Sequence, residues 1–278
     1  MSDSKDGRKT VLITGCTPGG IGHALAREFH SRADLRVFAT ARRPEVLSDL
    51  ASLGITTLAL DVTSPEAIRN VKETVSSKTG GSLDILVNNA GRPHMVPALD
   101  VDMADAKLTF ETNFFSVMRM CQEFSAMLIK AKGTILNVGS IAGVIAYPYS
   151  ATYNASKAAL HAYSEMLRIE LEPFSVDVIV AITGGVSSNI QAAVTIELPK
   201  DSLYKSIIPY IKKFRAAHND RASTPEAFAV TAVSKVLKQN PPRRFWTGGW
   251  SSSLWFAQTF FPDKLLVRGP SLYLSSIN

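Results

Sequence analysis

The sequence predicts an α/β fold: a single Rossmann-type doubly wound domain in which a seven-stranded parallel sheet is flanked by helices. Apolar runs that suit buried strands alternate with helical segments along most of the chain. A glycine-rich loop lies between the first strand and the first helix, and small or polar residues follow the later strands. In an open parallel sheet such loops meet at the carboxyl edge, where ligands bind at the point at which the strand order reverses.

Short apolar runs are predicted as the strands, because their lack of polar alternation suits a parallel sheet that is covered on both faces. They are Lys9–Thr14, Leu35–Ala41, Thr56–Leu60, Leu83–Val87, Gly133–Val138, Val176–Ala181 and Arg244–Thr247. The predicted helices are Ala24–His30, Ala104–Thr112, Phe114–Lys130, a run through Tyr153 to Leu171, and Thr224–Lys238. No repeat, charge block or Gly/Ser linker marks a boundary, so residues 1–278 are predicted to form one domain.

The composition indicates a globular protein of a reducing compartment. The apolar fraction is 46% and the charged fraction 19%, which suits a chain with a buried core. Two cysteines, Cys16 and Cys121, are too few for a disulfide framework, and the sequence has no metal-binding set. The stretch Met1–Lys9 lacks the apolar core of a secretory signal, and no run is long enough to span a bilayer. A cytoplasmic protein is therefore predicted.

The net charge of the chain suggests an anionic ligand. The formal charge is +6, from 30 Lys and Arg against 24 Asp and Glu, which suits phosphate groups or an acidic membrane surface. The basic residues are scattered and no recognition motif accompanies them, so nucleic acid is not a predicted partner.

The loop after the first strand has the composition of a phosphate-binding turn. Glycines let the backbone turn sharply and approach a pyrophosphate, which the free N–H groups and the dipole of the following helix attract. The candidate cofactor contacts in this loop are Gly15, Thr17, Gly20, Ile21 and Gly22.

Two arginines, Arg42 and Arg43, follow the second strand, where the adenosine ribose of a bound dinucleotide would lie. An acidic residue at this place favours NAD, whereas basic side chains accommodate the 2′-phosphate of NADP. The predicted cofactor is therefore NADPH/NADP+. The alternative is that the two arginines only begin a solvated helix.

Further candidate cofactor contacts follow the third and fourth strands. Asp61 and Val62 come after the third, where an acidic side chain can accept a hydrogen bond from an adenine amino group. Asn89, Ala90 and Gly91 come after the fourth. Amide side chains there can tie neighbouring strand ends together, and the small residues let a cofactor lie against the backbone.

Tyr153 and Lys157 are the candidate proton-transfer pair. They lie one turn apart in a predicted helix, so they share one face. An ammonium within a few Å favours the phenolate, so we expect Lys157 to lower the pKa of Tyr153. Such a phenol can exchange a proton with an alcohol or carbonyl oxygen.

Two further polar residues are candidates for the same site. Ser140, in the loop after the fifth strand, can bring a hydroxyl beside the phenol of Tyr153. Asn113 stands amid an apolar run, and because asparagine is a poor helix former it indicates a kink, a polar task or a cap.

Taken together, these motifs resemble the short-chain dehydrogenase/reductase family over about residues 9 to 190. The motifs that carry the resemblance are Thr14-Gly15…Gly20-Ile21-Gly22, Asn88-Asn89-Ala90-Gly91, Asn113, Ser140 and Tyr153…Lys157. The resemblance implies hydride transfer to or from a nicotinamide, with Tyr153 as general acid/base and Lys157 holding the nicotinamide ribose. It also implies that Ser140 orients the substrate oxygen and that Asn113 anchors a water. A dimer or tetramer is implied as well.

The chain departs from the family pattern in two loops. Cys16 to Gly19 put one more residue than usual into the first loop, which leaves the pairing of amides with phosphates undecided. Thr183-Gly184-Gly185 replaces the usual Pro-Gly after the sixth strand, and Val186 and Ser188 are the candidate contacts to the nicotinamide amide.

The substrate is predicted to be a hydrophobic ketone, bound beneath the irregular segment 189–223. Loop sequences such as Gly15–Gly22 and Ala181–Val186 are similar to those of fungal 1-acyldihydroxyacetone-phosphate reductases, which act at endoplasmic reticulum and lipid-droplet surfaces. Ketoreductases of fungal polyketide or terpenoid metabolism share these signatures, so both substrate classes stay open. A nucleotide-binding protein without chemistry is the non-enzymatic alternative.

The apolar tail, residues 243–278, allows two interpretations. All three tryptophans lie there, with basic residues on either side. Aromatic residues flanked by bases suit an anchor at the headgroup level of a membrane. The same residues suit a seventh strand followed by an apolar segment packed on the domain or on a second subunit.

Overall fold

The computed structural model describes residues 7–32, 35–188, 198–210, 212–213 and 221–260. Residues 189–197, 211 and 214–220 of the predicted substrate segment, and the tail beyond residue 260, lie outside the described residues.

The described residues form one seven-stranded sheet with every strand pair parallel, in the order β3-β2-β1-β4-β5-β6-β7. Its strands are β1 Lys9–Ile13, β2 Leu35–Ala41, β3 Thr56–Ala59, β4 Ile85–Asn88, β5 Thr134–Val138, β6 Asp177–Thr183 and β7 Arg244–Thr247. The predicted doubly wound parallel sheet is confirmed. The strand order reverses between β1 and β4, so the loops that follow these two strands lie side by side.

Helices cover both faces of this sheet. They are α1 Ile21–Arg32, α2 Ser48–Ser52, α3 Pro65–Thr79, α4 Met103–Phe110, α5 Ser116–Ala131, α6 Ala151–Leu171, α7 Pro225–Val236 and α8 Ser251–Phe260. The sequence analysis did not predict α2, α3 and α8. α3 carries the signals of a helix, because the Ser64 hydroxyl accepts from the N–H of Ala67 and Gly80 ends it with φ +64°.

Two apolar layers hold the helices against the sheet. On one face Leu25 and Phe29 of α1 pack with Phe228 of α7, and none of these three side chains is exposed. On the other face Val71 of α3 and Phe124 of α5 belong to one cluster with side chains from β1, β4 and β5. Continuous burial on both faces explains why the strands read as unbroken apolar runs.

The end of the described chain is a strand followed by an aromatic helix. β7 has the predicted bounds, and Trp246 and Leu254 pack against the small cluster of Ile141, Val180 and Ile182. The outer face of α8 exposes three large aromatic side chains: Trp255, Phe256 and Phe260. Among the described residues, no helix is both long enough and apolar enough to span a membrane.

Candidate active site

The first loop packs against the end of β4 so closely that it requires glycine at two positions. Gly15 has φ +73°, and a Cβ at this residue would stand 2.9 Å from the Cα of Ala90. A Cβ at Gly22 would stand 2.4 Å from the carbonyl oxygen of Gly15 and 2.5 Å from Nδ2 of Asn89. The helix α1 therefore begins directly beside the loop after β4, as a dinucleotide site at a switch point requires.

Hydrogen bonds of Asn89 and Thr14 hold the loops after β1 and β4 together. Asn89 Nδ2 donates to the carbonyl oxygens of Thr14 at 2.8 Å and Gly15 at 3.0 Å. In return, the Thr14 hydroxyl accepts from the backbone N–H groups of Asn89 and Ala90, both at 3.0 Å. The predicted tie between neighbouring strand ends is present, and it fixes the backbone that would face a bound cofactor.

Replacing Asn89 by alanine should destabilise the protein by about 1 to 3 kcal/mol, because two partly buried carbonyl groups lose their donor. The free energy of unfolding in urea measures the effect. Asn70→Ala, on the exposed face of α3, is the matched control and should change stability by less than about 0.5 kcal/mol. Equal effects of the two variants would contradict the fastening role.

The candidate contacts for the adenosine half of a cofactor lie on the exposed rim. Arg42 and Arg43 follow β2 directly, both are exposed, and neither makes an ion pair within the described part of the chain. Asp61 is also exposed, and its Oδ1 accepts from the N–H and the hydroxyl of Thr63 at 2.9 and 2.7 Å. This turn fixes the carboxylate, while the neighbouring Val62 is buried.

Asn113 lies in a helical distortion between α4 and α5. Residues Glu111–Phe115 form a π-helical turn in which the N–H of Ser116 donates to the carbonyl of Glu111. The buried Asn113 amide accepts from the N–H of Arg92 at 2.7 Å and donates to its carbonyl at 2.9 Å and to Ser156 Oγ at 3.1 Å. The predicted local kink is thus present, and π turns are frequent at functional sites.

Ser140 and Tyr153 are brought together at the end of β5. Ser140 begins a short 3-10 turn, Ile141–Gly143, and its Oγ accepts from the N–H of Ala142 at 3.1 Å. The Ser140 side chain also lies near enough to the phenol of Tyr153 to lower the pKa of that phenol. A buried serine and a partly buried tyrosine therefore present two hydroxyl groups to the same place.

Lys157 is buried one turn after Tyr153 and is held from the sheet side. Its Nζ donates to the carbonyl of Val138 at 2.9 Å and lies 5.9 Å from the centre of the Tyr153 ring. A Cβ placed on Gly91 would lie 3.9 Å from this Nζ and 3.4 Å from Oδ1 of Asn113. The loops after β4 and β5 and the helix α6 thus place the candidate proton-transfer pair beside the loop predicted to bind the cofactor.

The expected pKa of Tyr153 requires a correction. Withdrawal from water raises the pKa of the phenol above its usual value, and the group that opposes this rise is Ser140 rather than Lys157. Withdrawal from water also lowers the pKa of Lys157 to about 8. Burial is the largest influence on the phenol, so Tyr153 is protonated at neutral pH.

The loop after β6 joins the same edge. Gly185 N–H donates to the carbonyl of Gly249 at 3.0 Å, and Ser187 N–H donates to that of Ser223 at 2.9 Å. These bonds bury the side chain of Val186, and Ser188 follows it in a partly exposed position. The main chain of this loop, rather than the Val186 side chain, is what a ligand at this edge would meet.

Comparisons with known proteins decide the family. The sequence model of short chain dehydrogenases matches residues 9–198, which is more than half of the chain. The protein belongs to the short-chain dehydrogenase/reductase family. An NADPH-dependent 1-acyldihydroxyacetone phosphate reductase of Schizosaccharomyces pombe is 41% identical over 265 residues, with 89% of this chain and 88% of the relative covered.

Two further comparisons agree with this assignment. The short-chain dehydrogenase ptmH of Penicillium ochrochloron is 48% identical over 235 residues, which cover 84% of this chain and 86% of ptmH. The crystal structure of a short-chain dehydrogenase from Streptomyces avermitilis superposes with a TM-score of 0.79 at 25% identity, and 93% of each chain is covered. This member of the short-chain dehydrogenase/reductase family is therefore an oxidoreductase that uses a nicotinamide cofactor.

The sequence analysis did not predict a series of buried, hydrogen-bonded side chains behind the candidate active site of this short-chain dehydrogenase. Asn88 Nδ2 donates to Asn137 Oδ1 at 2.9 Å, and Asn137 Nδ2 donates to Ser164 Oγ at 2.9 Å. These bonds tie β4, β5 and α6 together where the catalytic candidates emerge. The polar positions at 137 and 164 interrupt apolar runs, which is the signal that could have identified them.

The sequence analysis also did not identify His161, which lies one turn after Lys157 in α6. Its Nε2 accepts from the backbone N–H of Ser140 at 3.2 Å. A lone histidine on a helix carries no pattern that would indicate such a contact.

Proposed function

We propose that the protein is an NADPH-dependent reductase that converts a hydrophobic ketone to a secondary alcohol. The observation that carries the proposal is the convergence of Ser140, Tyr153, Lys157 and Asn113, from three different segments, at the carboxyl edge of β4 and β5. The site would also require a cofactor surface next to this cluster, and the glycine-containing loops after β1 and β4, which pack against each other, support one.

The residues fit a dinucleotide. Gly15 lets the first loop pack against Ala90, and Gly91 lies beside the candidate catalytic groups, where a Cβ would contact Oδ1 of Asn113 at 3.4 Å and Nζ of Lys157 at 3.9 Å. Arg42 and Arg43 are placed to hold the 2′-phosphate of NADPH, and the relative of Schizosaccharomyces pombe is NADPH-dependent by its name. The further proposed contacts are Thr17, Gly20, Ile21, Gly22, Asp61, Val62, Asn89, Ala90, Val186 and Ser188.

The proposed mechanism assigns the substrate oxygen to two hydroxyl groups. Ser140 and Tyr153 would hold the carbonyl oxygen by hydrogen bonds and so polarise the carbonyl carbon. The nicotinamide, when bound, supplies the hydride. Tyr153 then donates its proton to the oxygen as negative charge develops there, and its raised pKa keeps the phenol protonated for this step.

Lys157 and Asn113 would support this step without contacting the ketone. An ammonium has three N–H groups, and the carbonyl of Val138 takes one, so Lys157 can also hold a ribose hydroxyl of the cofactor. Asn113, in the π turn, would anchor a water that returns protons to the site.

The role of Lys157 predicts a pH dependence. Its pKa of about 8 lies below the usual value, so the ammonium is present below about pH 8 and is lost above it. If the ammonium holds the cofactor, kcat/KM for NADPH should fall about tenfold per pH unit above that point. Lys157→Arg keeps its charge and should shift the fall beyond pH 10. A wild-type profile that is flat from pH 7 to 10 would contradict the role.

The proposed substrate is 1-acyldihydroxyacetone phosphate. The name of the Schizosaccharomyces pombe relative supports it, as does the net charge of +6, which favours a phosphate-bearing ligand. A bulky polyketide or terpenoid ketone of fungal secondary metabolism is the alternative, which the similarity to ptmH of Penicillium ochrochloron keeps open.

NADPH consumption with matched ketones tests the proposal. We expect turnover of 1-acyldihydroxyacetone phosphate, with a kcat/KM at least about tenfold above that of uncharged ketones of similar length. The reverse order would support the secondary-metabolite alternative. Tight NADPH binding without turnover of any ketone would support the non-enzymatic alternative.

We also propose that residues 1–278 form one domain that assembles into a homo-oligomer. The π turn before α5 and the helix α6 expose large apolar side chains in the described part of the chain, namely Phe115 at 43%, Met166 at 55% and Ile169 at 57%. Apolar groups at this density favour burial against a second copy. Contact of the tail with a lipid surface, at endoplasmic reticulum or lipid droplets, stays a proposal that flotation with vesicles can test.

A further inference from the structure

His161 lies at the back of the candidate active site, on the same face of α6 as Tyr153 and Lys157. Its imidazole is surrounded by the loop that carries Ser140. A Cβ at Gly139 would stand 2.3 Å from Nε2 of the ring, and a Cβ at Gly143 would stand 2.7 Å from Cε1. The ring therefore fills the space between the two ends of this loop.

The polar contact of the ring is with the backbone of Ser140 itself. Nε2 accepts from the Ser140 N–H at 3.2 Å, which requires the neutral ring with its proton on Nδ1. The Oγ atom of Ser140 accepts from the N–H of Ala142, and the Ser140 side chain lies near enough to the phenol of Tyr153 to lower the pKa of that phenol. The direction of the Ser140 hydroxyl thus depends on a backbone that His161 holds.

The electrostatic surroundings keep the ring neutral. Burial lowers the pKa of His161 to about 4, and the positive charges of Lys157 on the same helix and Arg244 on β7 lower it further. At neutral pH the imidazole is an acceptor at Nε2, so the bond to Ser140 is available throughout the working range of the enzyme.

We propose that His161 is a positioning residue that sets the Ser140 hydroxyl for the substrate carbonyl through the Ser140 backbone. This inference rests on the proposed role of Ser140 in ketone reduction. His161 itself would contact neither the ketone nor the cofactor.

The first test is a double-mutant cycle on the full chain. His161→Phe fills the space of the ring without an acceptor and should lower kcat for the ketone about 10- to 100-fold, as expected for a misplaced catalytic group. In a Ser140→Ala background the same change should cost less than about threefold, because the group that it positions is gone. His161→Gln keeps an acceptor and should retain most of the activity. An equal cost of His161→Phe in both backgrounds would overturn the proposal.

A second measurement tests the positioning role of His161 independently of ketone reduction. Amide hydrogen exchange at Ser140 should accelerate in His161→Phe and stay near the wild-type rate in His161→Gln, whether or not a ketone is reduced. Unchanged exchange in His161→Phe would overturn the positioning role even if reduction is observed. Absence of ketone reduction with the expected exchange pattern would instead refute the proposed function alone.

If His161→Phe does not fold, the pH dependence of kcat in His161→Gln tests the proposal instead. Protonation of His161 removes the acceptor for Ser140, so wild-type kcat should fall on the acid side with an apparent pKa near 4. His161→Gln cannot be protonated in this range and should lack that fall. An identical acid limb in both proteins would overturn the proposal.

Discussion

Replacing Tyr153 by phenylalanine should lower kcat for ketone reduction by about 10² to 10⁴-fold, the contribution expected of a positioned general acid. The change removes one oxygen atom, which is the proposed proton donor and the partner of the Ser140 hydroxyl. Because the ring remains in place, the dissociation constant for NADPH should change less than about threefold, a small effect compared with the loss of the acid. Single-turnover kinetics with NADPH and the preferred ketone measure the first quantity, and cofactor fluorescence measures the second.

Tyr163 offers a matched control on the same helix. It is partly buried and packs against the apolar cluster that contains Cys121 and Phe124, away from the catalytic candidates. Tyr163→Phe removes the same atom from α6 and should leave kcat within about threefold of the wild type. Retention of more than a tenth of the wild-type kcat in Tyr153→Phe would refute the assignment of the acid.

Replacing both Arg42 and Arg43 by alanine should lower kcat/KM for NADPH by about 10- to 10³-fold, since hydrogen bonds to a charged group contribute about 1.5 to 3 kcal/mol each when buried. Both side chains are exposed, so solvent screens their attraction to the phosphate. The decrease in kcat/KM should therefore lie at the low end of the range expected from two such hydrogen bonds. NADH lacks the 2′-phosphate, and its kcat/KM should change less than about threefold. Initial rates with each cofactor at fixed ketone concentration give both values.

The control for this prediction is Arg32→Ala, at the end of α1 and hence at the opposite edge of the sheet. Arg32 is partly exposed and is paired with Glu28 on its own helix. Its loss removes one positive charge without touching the proposed phosphate site. A direct probe is 2′-phosphoadenosine, which should protect the wild type against thermal unfolding and should lose that effect in the double variant. Equal protection of both proteins would show that the phosphate binds elsewhere.

Local patterns were enough to predict most of the sheet. β2 and β7 have the predicted bounds, and the other strands differ at their ends by one to two residues. The helix α3 was missed although Ser64 and Gly80 mark its ends. The predicted effect of Lys157 on the pKa of Tyr153 was wrong, because burial of a side chain cannot be read from its neighbours along the helix.

The sequence by itself determined the parallel fold, the order of its loops and the residue types that could carry hydride and proton transfer. These features depend on local composition and spacing, which fold into strands, turns and helix faces in the same way in many proteins. Only the tertiary structure decided which groups touch: Asn89 with Thr14, His161 with Ser140, and Asn113 with Ser156. Each of these contacts joins residues that are distant along the chain, and their hydrogen bonds form only after the packing of helices on the sheet has brought them together.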